Sequence, residues 1–274
     1  MIEPRRALDV ALETSLEAAR LVMRVYATEF AVEYKVGDDP VTAADREANA
    51  LICERLARAY PGVPIVAEES DPSTYAGASR APAAWFVDPL DGTREFVART
   101  GEFSVMVGLA EAGRPVVGVV VAPAWDRAFF GIVGEGAWQA DGGGARTPIS
   151  VSSCTAMADA SVVLSRSHRS AKVDEFVAGL GPRETARHGS SGLKGALVAA
   201  GKHDVYLQLG RAGMLWDACA TEAVVVAAGG RCTNVDGGTL DYAVEELGLS
   251  RGFVASNGKL HDVVLEALRA ARRA

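Results

Sequence analysis

Long apolar stretches are missing from this sequence. The longest, Val116–Ala122 and Ala223–Ala228, fall far short of the roughly 20 residues a bilayer-crossing helix needs, so membrane insertion is not expected. The N-terminal stretch is charged and amphipathic, not a continuous apolar signal segment, and a cytoplasmic setting is expected. Cysteine is also sparse. Cys53, Cys154, Cys219 and Cys232 form no CxxC pair and no zinc-like spacing with histidine, which leaves buried thiols in a reducing compartment. Of the four histidines, none stands beside a serine or cysteine in the pattern of an activated nucleophile. Positive charge is short too: the lysines are Lys35, Lys172, Lys194, Lys202 and Lys259, the net charge is −7 and the pI about 5.2. Polymeric nucleic acid is therefore excluded as a partner, because binding it rests on many cationic phosphate contacts. A small phosphorylated ligand is not excluded, provided metal ions supply the missing charge.

What is present is enough for a large core. The 274 residues are 49% hydrophobic and 23% charged, ordinary for a globular protein of one large domain or two fused lobes. Helical spacing of Leu8, Ala11, Leu12, Ala18, Leu21, Val22 and Val25 predicts a helix over Arg5–Thr28, and a second runs from Ala43 to Ala59 behind Thr42. Strand-like segments follow at Val63–Ala67, Ala84–Val87, Phe103–Ala110, Val116–Ala122 and Ala128–Val133, with a hairpin turn at Ala112-Gly113-Arg114. After Pro148 the rhythm changes. Strands at Ser161–Leu164, Asp204–Leu209 and Gly252–Ala255 alternate with helices at Ala171–Leu180, Leu193–Ala200, Ala218–Ala228 and Lys259–Arg273. Two lobes are expected, an α+β lobe over 1–148 and an α/β lobe over 149–274, with the site between them. The triple glycine at 142–144 has no following helix and lysine, and reads as a turn.

Four acidic positions stand out. Glu68-Glu69 follows the third predicted element, and Asp88-Pro89-Leu90-Asp91-Gly92-Thr93 follows the strand ending at Val87. Asp217 starts an alanine-rich helix and Asp45 sits near the start of the second helix. Asp88 and Asp91, three residues apart around a bend, can converge on one point, and hard carboxylate oxygens suit magnesium. Gly92-Thr93 opens a short helix, Thr93–Arg99, whose free N–H groups offer a phosphate seat. Each position also has a plain reading: Asp91 and Asp217 as helix caps, Thr42-x-x-Asp45 as a capping box, Glu68-Glu69 as solvated loop charge. If the acids do meet, bare charges at 4 Å repel by roughly 4 kcal/mol per pair at an effective dielectric of 20, so bound cations would be required.

The strings PVTAAD (40–45), AEES (67–70), WFVDPLDGT (85–93) and WDACATEAVVVAAGG (216–230) resemble the inositol monophosphatase superfamily of lithium-sensitive metal phosphatases, in the family's order and over about residues 35–257. The resemblance implies a layered α-β-α-β-α sandwich with two or three Mg2+ ions between the lobes. It further implies Glu68, Asp88, Asp91, Asp217 and the Leu90 carbonyl as metal ligands, and Asp45 near a third ion. Thr93, with Glu68 or Asp45, would orient a metal-activated water, and the Gly92 and Thr93 amides would seat the phosphate.

After the shared motif the chain reads REF (94–96) and RTGEFSVMVGL (99–109), with SRSH at 165–168 and HGSSGLK at 188–194. These resemble the CysQ-type 3′(2′),5′-bisphosphate nucleotidase branch. The implied reaction is removal of the 3′-phosphate from adenosine 3′,5′-bisphosphate and its sulfated relative PAPS, in sulfur metabolism or in nucleotide clearance. Ser165, His168, Ser190, Lys194, Arg211 and Asp217 are then expected at the substrate, and Arg166 as a further counter-charge for a second phosphate. Against a rigid nucleotide clamp, Gly192 and Gly195 make 189–195 look loose, and no adenine-stacking aromatic declares itself. An inositol-, histidinol- or sugar-phosphate phosphatase on the same scaffold is the alternative, and a non-catalytic metal-binding scaffold the remote one. A monomer is expected over a homodimer.

Overall fold

The computed structural model describes residues 2–35, 39–142, 144–210 and 213–273. Helix α1 (Pro4–Tyr26) starts on Pro4, with Glu3 accepting the Arg5 and Arg6 amides, and buries Leu8, Ala11, Leu12, Ala18 and Val22 along one stripe. A two-residue ribbon, β1 (Glu33–Tyr34) and β2 (Pro40–Val41), leads into α2 (Ala43–Ala59). Seven strands then form one sheet in chain order: β3 (Ile65–Ala67), β4 (Ala83–Asp91), β5 (Ser104–Glu111), β6 (Arg114–Ala122), β7 (Arg127–Ile132), β8 (Gly136–Asp141) and β9 (Thr147–Ile149). Only β3–β4 is parallel; the other pairs are antiparallel. Ala112 and Gly113, both at positive φ, make the β5–β6 turn. The short helix α3 (Thr93–Val97) lies between β4 and β5.

A second sheet follows in the order β11-β10-β12-β14-β13, with β10 (Ser161–Ser165), β11 (Glu184–His188), β12 (Val205–Gln208), β13 (Arg231–Thr233) and β14 (Phe253–Ser256). Its helices are α4 (Ala171–Leu180), α5 (Ser191–Ala199), α6 (Leu215–Ala227) and α7 (His261–Ala271). The layers are α1 and α2, the seven-stranded sheet, α5 and α6, the five-stranded sheet, then α4 and α7. One apolar cluster joins α1 and α2 to the first sheet, a second joins that sheet through α6 to the other, and a third lies under α4 and α7. This is the α-β-α-β-α sandwich.

Helix α6 approaches the first sheet very closely, for a reason visible in the register. Gly108 of β5 pairs with Gly118 of β6, which pairs with Gly131 of β7, so three glycines stand in a row across three neighbouring strands. A Cβ at Gly108 would lie 2.7 Å from the Ala220 nitrogen, one at Gly118 2.4 Å from the Ala220 oxygen, and one at Gly131 2.7 Å from the Ala227 methyl. The helix backbone rests in the trough these glycines leave.

Strands β1, β2, β8 and β9 escape sequence reading, and in the second sheet so do two more, β11 and β13. Both are edge strands, half-exposed and polar or very short, and so lack the continuous apolar run of the buried β10 and β14. Strand β4 also runs further than its apolar run suggests. It continues through Asp88-Pro89-Leu90 to Asp91, with a register shift against β5 between Asp88 and Asp91. The helix expected over Thr93–Arg99 ends at Val97. Arg99 turns to φ 59° and stacks its guanidinium on Tyr26 and Phe30.

Candidate active site

The β4 irregularity turns Asp88 and Asp91 toward the ends of α5 and α6. Oxygens of Asp88, Asp91 and Asp217 all lie within 4.8 Å of one another. They sit on the floor of a cleft of about 650 Å³ that also takes in Glu68, Thr93 and Trp216. The plain reading of Asp217 as a helix cap holds only in part: it stands at the third helical position of a capping box and is not the N-cap. Helix α6 begins two residues earlier, at Leu215, and the Asp217 carboxylate accepts the Met214 amide at 2.6 Å while pointing into the cleft. Nor does Asp91 cap α3: Gly92, at φ 94°, is the cap residue, and Asp91 Oδ2 accepts the Ser190 and Ser191 hydroxyls and the Gly192 amide at 2.5, 3.0 and 2.8 Å.

Burial and mutual repulsion act on these acids together. Burial, then Asp91 and Glu68, push the Asp217 carboxyl up to about 8. Burial, then Glu68, Asp91 and Asp217, hold Asp88 well above the usual carboxylate range. Burial raises Glu68 to about 7 although Lys35 draws it down. A converged set of hard oxygen donors, in which Asp88, Asp217 and Glu68 are pushed toward protonation when bare, fits a divalent cation of the magnesium type. A second cavity of about 420 Å³ beside α1, floored by Leu12, Leu16, Met23 and Phe130, is lined by one acid only, Asp126, and offers no such set.

Asp45 combines its plain reading with a place at the site. One oxygen completes the capping box with Thr42, at 2.7 Å from its amide, while the other accepts the Thr93 hydroxyl at 3.0 Å. That hydroxyl is also 3.1 Å from the Leu90 carbonyl, so its single proton has two acceptors and its lone pairs remain for the cleft. Burial raises the Asp45 carboxyl, opposed by the Thr42 and Thr93 hydrogen bonds.

The opposite wall comes from the second sheet. Ser165, His168, Ser190 and Lys194 line the cleft. Ser165 Oγ accepts the His168 amide at 3.1 Å. Lys194 is almost fully buried, donates to the Ser190 carbonyl, lies 5.1 Å from the Tyr206 ring centre, and burial lowers its ammonium to about 8. Arg211 lies outside the described residues. Arg166 does not serve as a counter-charge in the cleft: its guanidinium is bidentate on Glu102, at 2.5 and 2.7 Å. The 189–195 segment is not loose either. A Cβ at Gly192 would come within 2.7 Å of Met106 Sδ and Ser104 Oγ, and one at Gly195 within 2.1 Å of Thr221 Cγ2, so these glycines record tight packing.

Sequence reasoning missed Lys35, whose ammonium bonds Glu68 at 3.2 Å and also reaches Glu69. Its rarity among the lysines was the signal. It also passed over Glu95, a buried cleft residue that accepts the Ser167 hydroxyl, and Glu102.

Comparison with known proteins adds to this geometry. The sequence profile described as the inositol monophosphatase family matches residues 3–273. The chain is 38% identical to a Salmonella typhimurium protein named 3′(2′),5′-bisphosphate nucleotidase CysQ, covering 90% of this chain and 98% of the relative. Among solved structures it resembles the extragenic suppressor protein suhB of Bartonella henselae, with TM-score 0.83 and 26% identity over 96% of this chain and 98% of the other. It also resembles CysQ of Bacteroides thetaiotaomicron, described as a bacterial member of the inositol monophosphatase family, with TM-score 0.77 and 28% identity over 92% and 97%.

Proposed function

The chain belongs to the inositol monophosphatase family, and we propose that within it the protein is a magnesium-dependent 3′(2′),5′-bisphosphate nucleotidase. It hydrolyses the 3′-phosphate of adenosine 3′,5′-bisphosphate, and of the related PAPS, to a free hydroxyl and inorganic phosphate. The observation that carries the reading is the meeting of Asp88, Asp91 and Asp217 at one point beneath a cleft walled by Ser165, His168, Ser190 and Lys194. Glu68, Asp88, Asp91, Asp217 and the Leu90 carbonyl would hold two Mg2+ ions, and Asp45 would help hold a third or its water. When bound, the ions activate water and neutralise charge on the phosphate and leaving oxygen.

The chain's own groups do the rest. The Gly92 and Thr93 amides seat the phosphate at the turn into α3. A water in line with the ester bond donates to Thr93 Oγ1, which passes its own proton to Asp45 Oδ1, 3.0 Å away. The Asp45 carboxyl, raised by burial, is suited to take that proton. The water oxygen bonds to phosphorus, and the P–O3′ bond breaks with its electron pair left on O3′, which takes a proton from solvent. Asp217, at the cleft floor, faces the substrate as well as the cation, and His168 and Lys194 meet its second phosphate, with Arg211 as a further contact. The α+β half (1–148) carries most of the metal-binding motifs, and the α/β half (149–274) adds Asp217 and the substrate-recognition loops.

No helix among the described residues is long and apolar enough to cross a membrane. We place the protein in the cytoplasm, as a monomer sensitive to lithium. Phosphate release with magnesium tests the reading on adenosine 3′,5′-bisphosphate, inositol 1-phosphate, histidinol phosphate and fructose 1,6-bisphosphate. The nucleotide should be preferred by kcat/KM; a preference for the inositol or sugar ester would overturn the assignment.

A further inference from the structure

Glu102 stands just before β5, outside the cleft lining, yet it reaches both recognition loops of the other sheet. Its carboxylate accepts Arg166 Nε and Nη2 at 2.5 and 2.7 Å, the Gly189 amide at 2.8 Å, and lies 3.1 Å from His188 Nδ1. Arg166 sits between the cleft residues Ser165 and His168, and Gly189 immediately precedes Ser190. The two loops are also joined to each other, since the Arg166 amide bonds the His188 carbonyl at 3.0 Å and Arg166 Nη2 the Arg187 carbonyl at 2.9 Å.

The position of Ser190 needs such support. Its φ of 54° with ψ of 131° is a strained conformation for a residue with a Cβ, and strain of that kind persists only where the surroundings over-determine it. Ser190 Oγ in turn bonds Asp91 at 2.5 Å. One carboxylate therefore ties, from the first sheet, the loop that carries Ser165 and His168 and the loop that carries Ser190. Glu102 is nearly buried while the Arg166 side chain is about half exposed, so the carboxylate is the fixed member of the pair.

We propose that Glu102 is a positioning residue for substrate selection: it sets the 165–168 and 188–192 loops at the spacing that accepts a second phosphate, without touching the reacting atoms. The inference rests on the nucleotidase reading. Glu102→Gln separates its two tasks, because the amide oxygen still accepts the Gly189 N–H while the bidentate Arg166 contact is lost.

The test combines steady-state kinetics on adenosine 3′,5′-bisphosphate and adenosine 3′-monophosphate with amide hydrogen exchange over 165–168 and 188–192. In Glu102→Gln the KM for the bisphosphate should rise by about tenfold, the range for residues that orient a site from behind, with kcat and the monophosphate KM nearly unchanged. Exchange in the 165–168 loop should quicken. Arg166→Ala should give the same pattern, and the double variant nothing further. Equal losses on both esters, or unaltered KM values, would overturn the proposal. A wild-type protein with no preference for the bisphosphate refutes the nucleotidase reading instead; wild-type exchange in Glu102→Gln would then still refute the tether.

Discussion

Two regions of this molecule bury polar groups, and they do so in opposite ways. At the far end of the second sheet, Asp204 accepts the Ser161 amide at 2.7 Å and the Ser152 hydroxyl, and Asn257 reaches Ser152 Oγ and the Cys154 carbonyl at 2.9 and 2.8 Å. His261, fully buried, has Ser256 Oγ at 2.8 Å on one ring nitrogen and Thr233 Oγ1 at 2.9 Å on the other. Every member has a partner that lowers its energy. In the cleft, Asp88, Asp91 and Asp217 instead face one another, and burial adds to the conflict. A satisfied cluster holds the fold together, and one left in conflict is held by the fold for something else to complete.

Asp88→Asn tests the contrast most severely. Turnover should fall by at least about 10³-fold, the upper range for losing one electrostatic group at a reacting centre. Yet the metal-free variant should be more stable than wild type at pH 8. A carboxyl raised on folding contributes stability at low pH that is lost as pH rises, so the gain should shrink toward acid. Magnesium should raise the melting temperature of wild type but not of the variant; a destabilised variant that still responds to magnesium would break the comparison.

The second test is at the satisfied end. Burial, then Arg231, lowers the His261 imidazole to about 4, so it folds neutral while the unfolded ring, with its pKa near 6.5, gains a proton. The stability it contributes is whole above pH 6.5 and declines as pH falls toward 4, by about 3 kcal/mol in all. Urea titrations across that window, with His261→Gln as the flat control, should show it. The smallest effect is Asp204→Ala, expected to cost about 2 kcal/mol by stranding buried donors, with kcat/KM of the folded protein unchanged. A large loss of turnover there would show that the two regions are not independent.

The acids were legible in the sequence because each follows a strongly patterned element, and Asp88, Asp91 and Gly92 lie within one short string. Most helices were legible from their periodicity. What was not legible depends on distant pairing. Arg166 looked like a free cation because Glu102, 64 residues away, is brought beside it only by folding. Lys35 showed its rarity but not its partner. The start of α6 was misjudged because Leu215 and Trp216 carry no capping signal, and Asp217 supplies that bond from three residues into the element. Gly192 and Gly195 read as slack when considered alone, and as clearance once Met106 and Thr221 stand against them.

The row of Gly108, Gly118 and Gly131 bears on how such a protein can change over generations. Because α6 meets the sheet there through its backbone at Ala220 and the small side chains of Cys219, Ala223 and Ala227, the depth at which Asp217 is presented is set along that line and not by the side chains that fill the rest of the interior. The surrounding layers are free to drift in composition, and the recognition loops to be exchanged for other esters, while the distance between the first sheet and the third acid stays fixed like a machinist's datum. A methyl group added anywhere along that line would move the reference itself.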